Sequence, residues 1–156
     1  MVKKRTLRHI LSLLAVAVLL SGCTAGNTNI EPSELADQLV EKFRITELGT
    51  LSEDLVSERY GLNTDQLESW DIREGTGSEK DTLIAVLKLK EKEDAPQAEE
   101  SLRAGAKAFA QRFSGGPDDQ YELARSPVVS QSGNYVFLAI GADAEQMAEE
   151  FERLTR

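Results

Sequence analysis

The segment Asp81-Thr82-Leu83-Ile84-Ala85-Val86-Leu87-Lys88-Leu89-Lys90 decides the fold. Leu83, Ala85, Leu87 and Leu89 fall on one side of an extended chain, while Ile84 and Val86 share the other with Lys88 and Lys90. Successive strand side chains point to opposite faces, so the first half is buried on both sides and the end is expected to emerge into solvent. Upstream, Leu67, Trp70 and Ile72 mark a partner strand over Leu67–Arg73, and Gly75-Thr76-Gly77-Ser78 supplies the turn between the two. Downstream, Pro127-Val128-Val129, the turn Ser132-Gly133-Asn134 and the run Tyr135–Ile140 have the shape of a second β-hairpin.

Helical spacing fills the intervals. Leu35, Ala36, Leu39, Val40 and Phe43 follow Pro32 and Ser33, either of which suits a helix start. Ser52 to Tyr60, closed by Gly61, gives a short second helix whose acidic first turn suits its dipole. Ala98, Leu102, Ala106, Phe109 and Phe113 form the main core helix, stopped at Gly115-Gly116-Pro117. Ala144, Met147, Ala148, Phe151 and Leu154 form the last one. Asp94 with Gln97, and Asp143 with Gln146, have capping-box spacing. The order contains two successive strand-turn-strand-helix units with similar helix openings; capping chemistry alone accounts for the similarity, and a duplication stays open. Hairpins and helices without βαβ alternation predict an α+β fold. The expected architecture is a two-layer sandwich, an antiparallel sheet of two β-hairpins with helices packed on one face, over a single domain 33–156.

The 156 residues carry 18 Lys+Arg against 27 Asp+Glu, a formal charge of −9. Lys3, Lys4, Arg5 and Arg8 all precede the apolar run Ile10–Leu20, so 14 Lys+Arg face 27 Asp+Glu beyond residue 22, a charge of −13. A body this acidic repels phosphate backbones, and no nucleic acid is expected as a partner. The apolar run is shorter than the about 20 residues of a membrane-spanning helix, and with its basic flank it reads as a signal peptide over 1–22. Leu20-Ser21-Gly22-Cys23 resembles the lipobox of bacterial lipoproteins. That resemblance makes Cys23 the first mature residue and the site of lipidation, including palmitate. The bilayer then becomes a partner, the location is the outer face of the cell membrane, and residues 23–32 are a flexible tether poor in bulky apolar groups.

Catalytic chemistry is scarce. His9 and Cys23 are the sole His and Cys, so the mature body has no His-dependent triad, His/Cys metal site or internal disulfide. Ser126, Ser130 and Ser132 stand in no Gly-x-Ser-x-Gly elbow and no Ser-x-x-Lys motif, and local turn bonding explains them. The pairs Glu99-Glu100, Asp118-Asp119 and Glu149-Glu150 read as solvated faces. Glu91, Glu93 and Asp94 lack EF-hand spacing, as does Asp118-Asp119, so no specific metal and no cofactor is assigned. Among the few aromatics, Tyr135 is expected in the core. Trp70 and Tyr121 stay open as recognition anchors, and either would then stand accessible beside a groove.

The lipobox, Ser33-Glu34-Leu35-Ala36-Asp37-Gln38-Leu39, Tyr60-Gly61-Leu62, Thr82-Leu83-Ile84-Ala85-Val86-Leu87-Lys88 and Ser132-Gly133-Asn134-Tyr135-Val136-Phe137-Leu138 together resemble the DUF4358 family of lipoproteins from Gram-positive bacteria. The resemblance spans roughly residues 33 to 154, implies a cell-surface lipoprotein, and carries over no catalytic residue. The expected role is a noncatalytic binding or protein-interaction module for an envelope protein, peptide or small ligand. The alternatives are a cell-wall hydrolase working through carboxylates, and a regulatory or escort lipoprotein of a membrane complex.

Overall fold

Every residue of β3 (Leu83–Leu89) is buried, and the rest of the architecture is arranged to cover it. The computed structural model describes residues 29–156, so the expected signal peptide over 1–22, Cys23 and the expected tether as far as residue 28 lie outside the described residues. In chain order the other elements are α1 (Pro32–Phe43), β1 (Leu48–Thr50), α2 (Glu53–Tyr60), β2 (Leu67–Gly75), α3 (Ala95–Gln111), α4 (Asp118–Ala124), β4 (Val128–Ser132), β5 (Tyr135–Ile140) and α5 (Ala144–Thr155). The five strands form one antiparallel sheet in the order β1-β2-β3-β5-β4. Both expected hairpins are present, β2 with β3 and β4 with β5, and β3 pairs with β5 to join them. The fold is α+β.

The layering differs from the expectation of helices on one face. Leu83, Ala85, Leu87 and Leu89 of β3, with Val136, Leu138 and Ile140 of β5, pack under α2 and α3. Ile84, Val86, Phe137 and Ala139 pack under α1 and α5 on the other side. The molecule therefore has three layers, with helices on both faces. The reason lies in β3 and β5 themselves: continuous apolar runs leave neither face fit for water, so each needs a helical cover. Two elements escaped the sequence reading. β1 is too short at three residues to display alternation, and α4 is a seven-residue helix with one fully buried side chain.

Three local expectations are also revised. Lys88 does not emerge into solvent; it is 2% exposed, and its ammonium meets Glu68 at 2.6 Å and Asn29 at 2.8 Å. The tether does not run through Pro32, because Ile30 is buried and the Tyr135 hydroxyl donates to its carbonyl at 2.8 Å. A bulky apolar side chain and two buried polar tips in need of acceptors bind residues 29–31 to the domain. Neither capping box forms, since the side chains of Asp94 and Asp143 make no cap hydrogen bond. Asp94 sits at φ −80°, ψ −6°, at the end of a 3-10 turn, rather than in the extended conformation of a capping residue.

Polar links tie the α1/α5 layer together. Arg73 of β2 bonds Asp71 beside it and reaches Asp37 of α1 at 2.8 Å. Glu150 of α5 pairs with Arg153 and with Lys42 of α1. Those two cations, Arg153 foremost, hold the Glu150 carboxyl near 2, below its usual 4.5, despite the opposing effect of burial. A depressed carboxyl contributes stability above its unfolded value, so this link weakens only as pH falls from about 4.5 toward 2.

The two-faced core has a direct test. Phe137 stacks on Phe151 of α5 with ring centroids 4.9 Å apart, and its neighbour Leu138 points into the α2/α3 layer. Phe137→Asp and Leu138→Asp should each cost more than about 4 kcal/mol and unfold the domain, because each buries an unpaired charge. Circular dichroism and urea titration would record the loss; a folded Phe137→Asp protein would contradict the second helical layer.

Candidate functional site

Along β2 the alternation that carries Trp70 and Ile72 toward the α2/α3 layer carries Glu74 there as well. A carboxylate thus stands at an inward register position, 7% exposed. It lies opposite Leu83 on β3 and Gly49 on β1, at the rim of the core. An ionised group in such a place requires charge and hydrogen-bond partners. Arg59 and Tyr60 from the last turn of α2 and Arg112 from the end of α3 supply them. Tyr60 donates its hydroxyl to Oε1 at 3.0 Å. Arg59 and Arg112 reach Oε2 at 2.7 and 2.8 Å.

Local backbone chemistry brings these groups together. Gly61, at φ +62°, lets α2 stop and turn immediately after Tyr60. Gly105 lies in the middle of α3, where glycine costs about 1 kcal/mol relative to alanine. A Cβ at that position would overlap the Tyr60 ring. The missing side chain is what allows α2 and α3 to approach closely enough for Tyr60 to lie between them. Arg112 is steadied by the Phe109 ring, whose centroid is 4.5 Å from the guanidinium carbon.

The result is a cavity of about 420 Å³ with Glu74 at its base, Glu58, Arg59 and Tyr60 on one wall and Gly105, Phe109 and Arg112 on the other. Glu74 is hidden, its side chain 8% exposed, whereas Arg59 and Arg112 remain 41% and 47% exposed. Burial, helped by the adjacent Glu74 charge, pushes the Tyr60 phenol up, so it serves as a donor rather than a base. The arrangement can hold a polar ligand; it contains no nucleophile paired with a base.

A second cavity, of about 340 Å³, lies on the other flank of α3. Arg103, Lys107 and Arg125 surround a floor of small side chains, and Tyr121 forms part of the wall. The Arg125 guanidinium carbon lies 5.7 Å from the Tyr121 ring centroid. Tyr121 is thus half-buried and lines this cavity. Trp70 is half-buried against the α2/α3 core and lines neither cavity, so the two aromatics are not brought together. Tyr135 is in the core, as expected.

The other candidates have local roles. Ser126 donates to the Glu122 carbonyl, Ser130 to Glu152 and Ser132 to the Thr155 carbonyl. Within the acidic pairs, Glu99 binds Arg103, Glu150 is buried while Glu149 is exposed, and Asp118 and Asp119 are exposed in the first turn of α4. Glu91 and Glu93 are exposed as well. Among the described residues, no three His, Cys, Asp or Glu side chains stand close enough to hold a metal ion. Among these same residues, no helix is long and apolar enough to cross a membrane.

Sequence reasoning missed Arg59, Glu74 and Arg112, although three signals were available. Glu74 continues the inward series of Trp70 and Ile72. Gly105 interrupts a helical pattern far from either end, which marks a close approach. Ser101–Pro117 carries Arg103, Lys107 and Arg112 with no Asp or Glu, in a chain where acids outnumber bases.

A family model described as a domain of unknown function, DUF4358, matches residues 42–141, well over half of the chain. The chain belongs to the DUF4358 family. No curated protein and no solved structure matches it. The DUF4358 match is narrower than the expected span from 33 to 154. It runs from the last turn of α1 to the end of β5, so it contains the whole sheet and both cavities and stops short of α5.

Gly105→Ala separates helix propensity from the close approach. Propensity alone would stabilise the protein by up to about 1 kcal/mol. Overlap with Tyr60 should instead destabilise it by about 1–3 kcal/mol. Urea denaturation reads the sign, and a stabilised variant would show that Tyr60 does not pack on this glycine.

Proposed function

We propose that this DUF4358 member is a lipid-anchored, extracytoplasmic and noncatalytic binding module, whose ligand occupies the cavity between α2 and α3. The observation that carries the reading is the pair of half-exposed arginines converging on a buried carboxylate beside open space. Concave sites with a few convergent polar groups are the ordinary form of a ligand pocket. Glu58 and Glu74 both line this cavity, which is the one feature favouring a carboxylate hydrolase. Against it, both oxygens of Glu74 are occupied by donors, leaving it ill suited to trade protons or attack a sugar. The regulatory or escort role would use the same surface with a membrane protein as the occupant.

Anchoring through Cys23 suits the placement of the cavity. The described chain begins at Asn29, which is bonded to Lys88 near the end of β3. Glu74 pairs with Leu83, at the start of that strand. Five residues of strand separate the two ends, about 16 Å. A protein tethered at one end of its sheet would therefore present the cavity at the other, away from the headgroups. The charge of −13 on the body acts in the same direction above an anionic bilayer.

Metabolic labelling with an alkyne fatty acid tests the anchor. The full chain should incorporate the label and fractionate with membranes, and Cys23→Ala should incorporate none. An unlabelled wild-type protein, or label persisting in the variant, would contradict the anchor.

A further inference from the structure

Arg59 and Arg112 are placed as clamps rather than as ordinary surface cations. They come from different helices, each gives one nitrogen to the same Glu74 oxygen, and each keeps nearly half of its side chain exposed. A guanidinium has five N–H donors in a fixed fork, so both have donors to spare after binding Glu74. Glu74 fixes the two heads side by side, and the Phe109 ring further fixes Arg112. Rotamer entropy that flexible arginines would lose on binding has therefore largely been lost already. One carboxylate is shared by two guanidinium groups, next to the acid-free run Ser101–Pro117. With Glu58 the lining is formally neutral, so the attraction for an anion is local to the two guanidinium heads.

We propose that this cavity takes a small ligand through an oxyanion, a carboxylate or phosphate group seated against the Arg59–Arg112 pair. The assignment rests on the α2/α3 cavity being the binding site. The anion accepts charge-assisted hydrogen bonds from the free guanidinium N–H groups, the strongest type available to a neutral-pH surface. Glu74 has two opposed effects: it positions the arginines, and its negative charge competes with the ligand for them. Its neutral isostere retains an amide oxygen as acceptor while removing the competing charge.

The test is calorimetric titration of the full chain in nonionic detergent, at constant ionic strength, with inorganic phosphate and with acetate as separate probes. Saturable one-to-one binding of either probe is expected, and the tighter probe identifies which oxyanion the site prefers. Arg59→Gln and Arg112→Gln each leave Glu74 one guanidinium and the Tyr60 hydroxyl, and, with folding checked by thermal melting, should each weaken binding by about tenfold or more. Glu74→Gln should tighten it severalfold, with its folding checked by thermal melting. Lys92→Gln, exposed and remote from the cavity, should change nothing. Three results would overturn the assignment: no saturable binding of either anion, binding indifferent to both arginine variants, or a folded Glu74→Gln protein that binds no tighter. Amide NMR shifts at Tyr60 and Gly105 on addition of uncharged sugars or peptides, without any response to the anions, would overturn the oxyanion and leave the cavity as a binding site.

Discussion

A strand whose side chains are apolar on both faces cannot tolerate water on either, and β3 imposes that condition on the whole molecule. It is hydrogen-bonded along both edges, to β2 and to β5, and β5 is buried just as completely. One helical layer would leave half of this apolar surface exposed. The chain therefore sends α2 and α3 to one side and α1 and α5 to the other. The two strand-turn-strand-helix units, whose helix openings are similar, end with their helices on opposite faces of the sheet, α3 on one and α5 on the other.

Polar chemistry is displaced to the two ends of the sheet as a consequence. At one end Lys88 is buried on the α1/α5 side and takes oxygen partners from Glu68 and from Asn29. At the other, Glu74 is buried on the α2/α3 side and takes donors from Tyr60, Arg59 and Arg112. Both charges obey the same rule, that an ion removed from water needs partners of opposite sign and completed hydrogen bonds. Their surroundings differ. The Lys88 partners include the first described residues, so this end holds the incoming chain. The Glu74 partners flank open space, so the far end is left available to a ligand.

Much of the fold was legible in the sequence because the signals were local and periodic. The alternation in Leu83–Leu89, the helical spacing from Ala98 to Phe109 and the glycines at 61 and 133 each placed an element correctly. The layering was not deduced, although it was implicit in β3: a strand read as buried on both sides already demanded two covers. The charge of Lys88 points to solvent when read along the strand, and only tertiary contacts reveal Glu68 and Asn29 beside it. The cavity was harder to foresee. The bonded cluster at its base draws on positions 59, 60, 74 and 112, and no spacing rule links them. Glu74 and Gly105 were nevertheless each anomalous in their own element, and such anomalies mark where local preference yields to packing.

The dependence on β3 is most directly measured by native-state hydrogen exchange, followed amide by amide. Amides from Ile84 to Leu87 are bonded within a central strand under two helical layers and should exchange last, through global unfolding alone. Those of α4, covered on one side by few side chains, should exchange earlier through local opening. Exchange of the β3 amides as fast as those of α4 would contradict the account, because the strand on which both layers rest would then be no more secure than the surface.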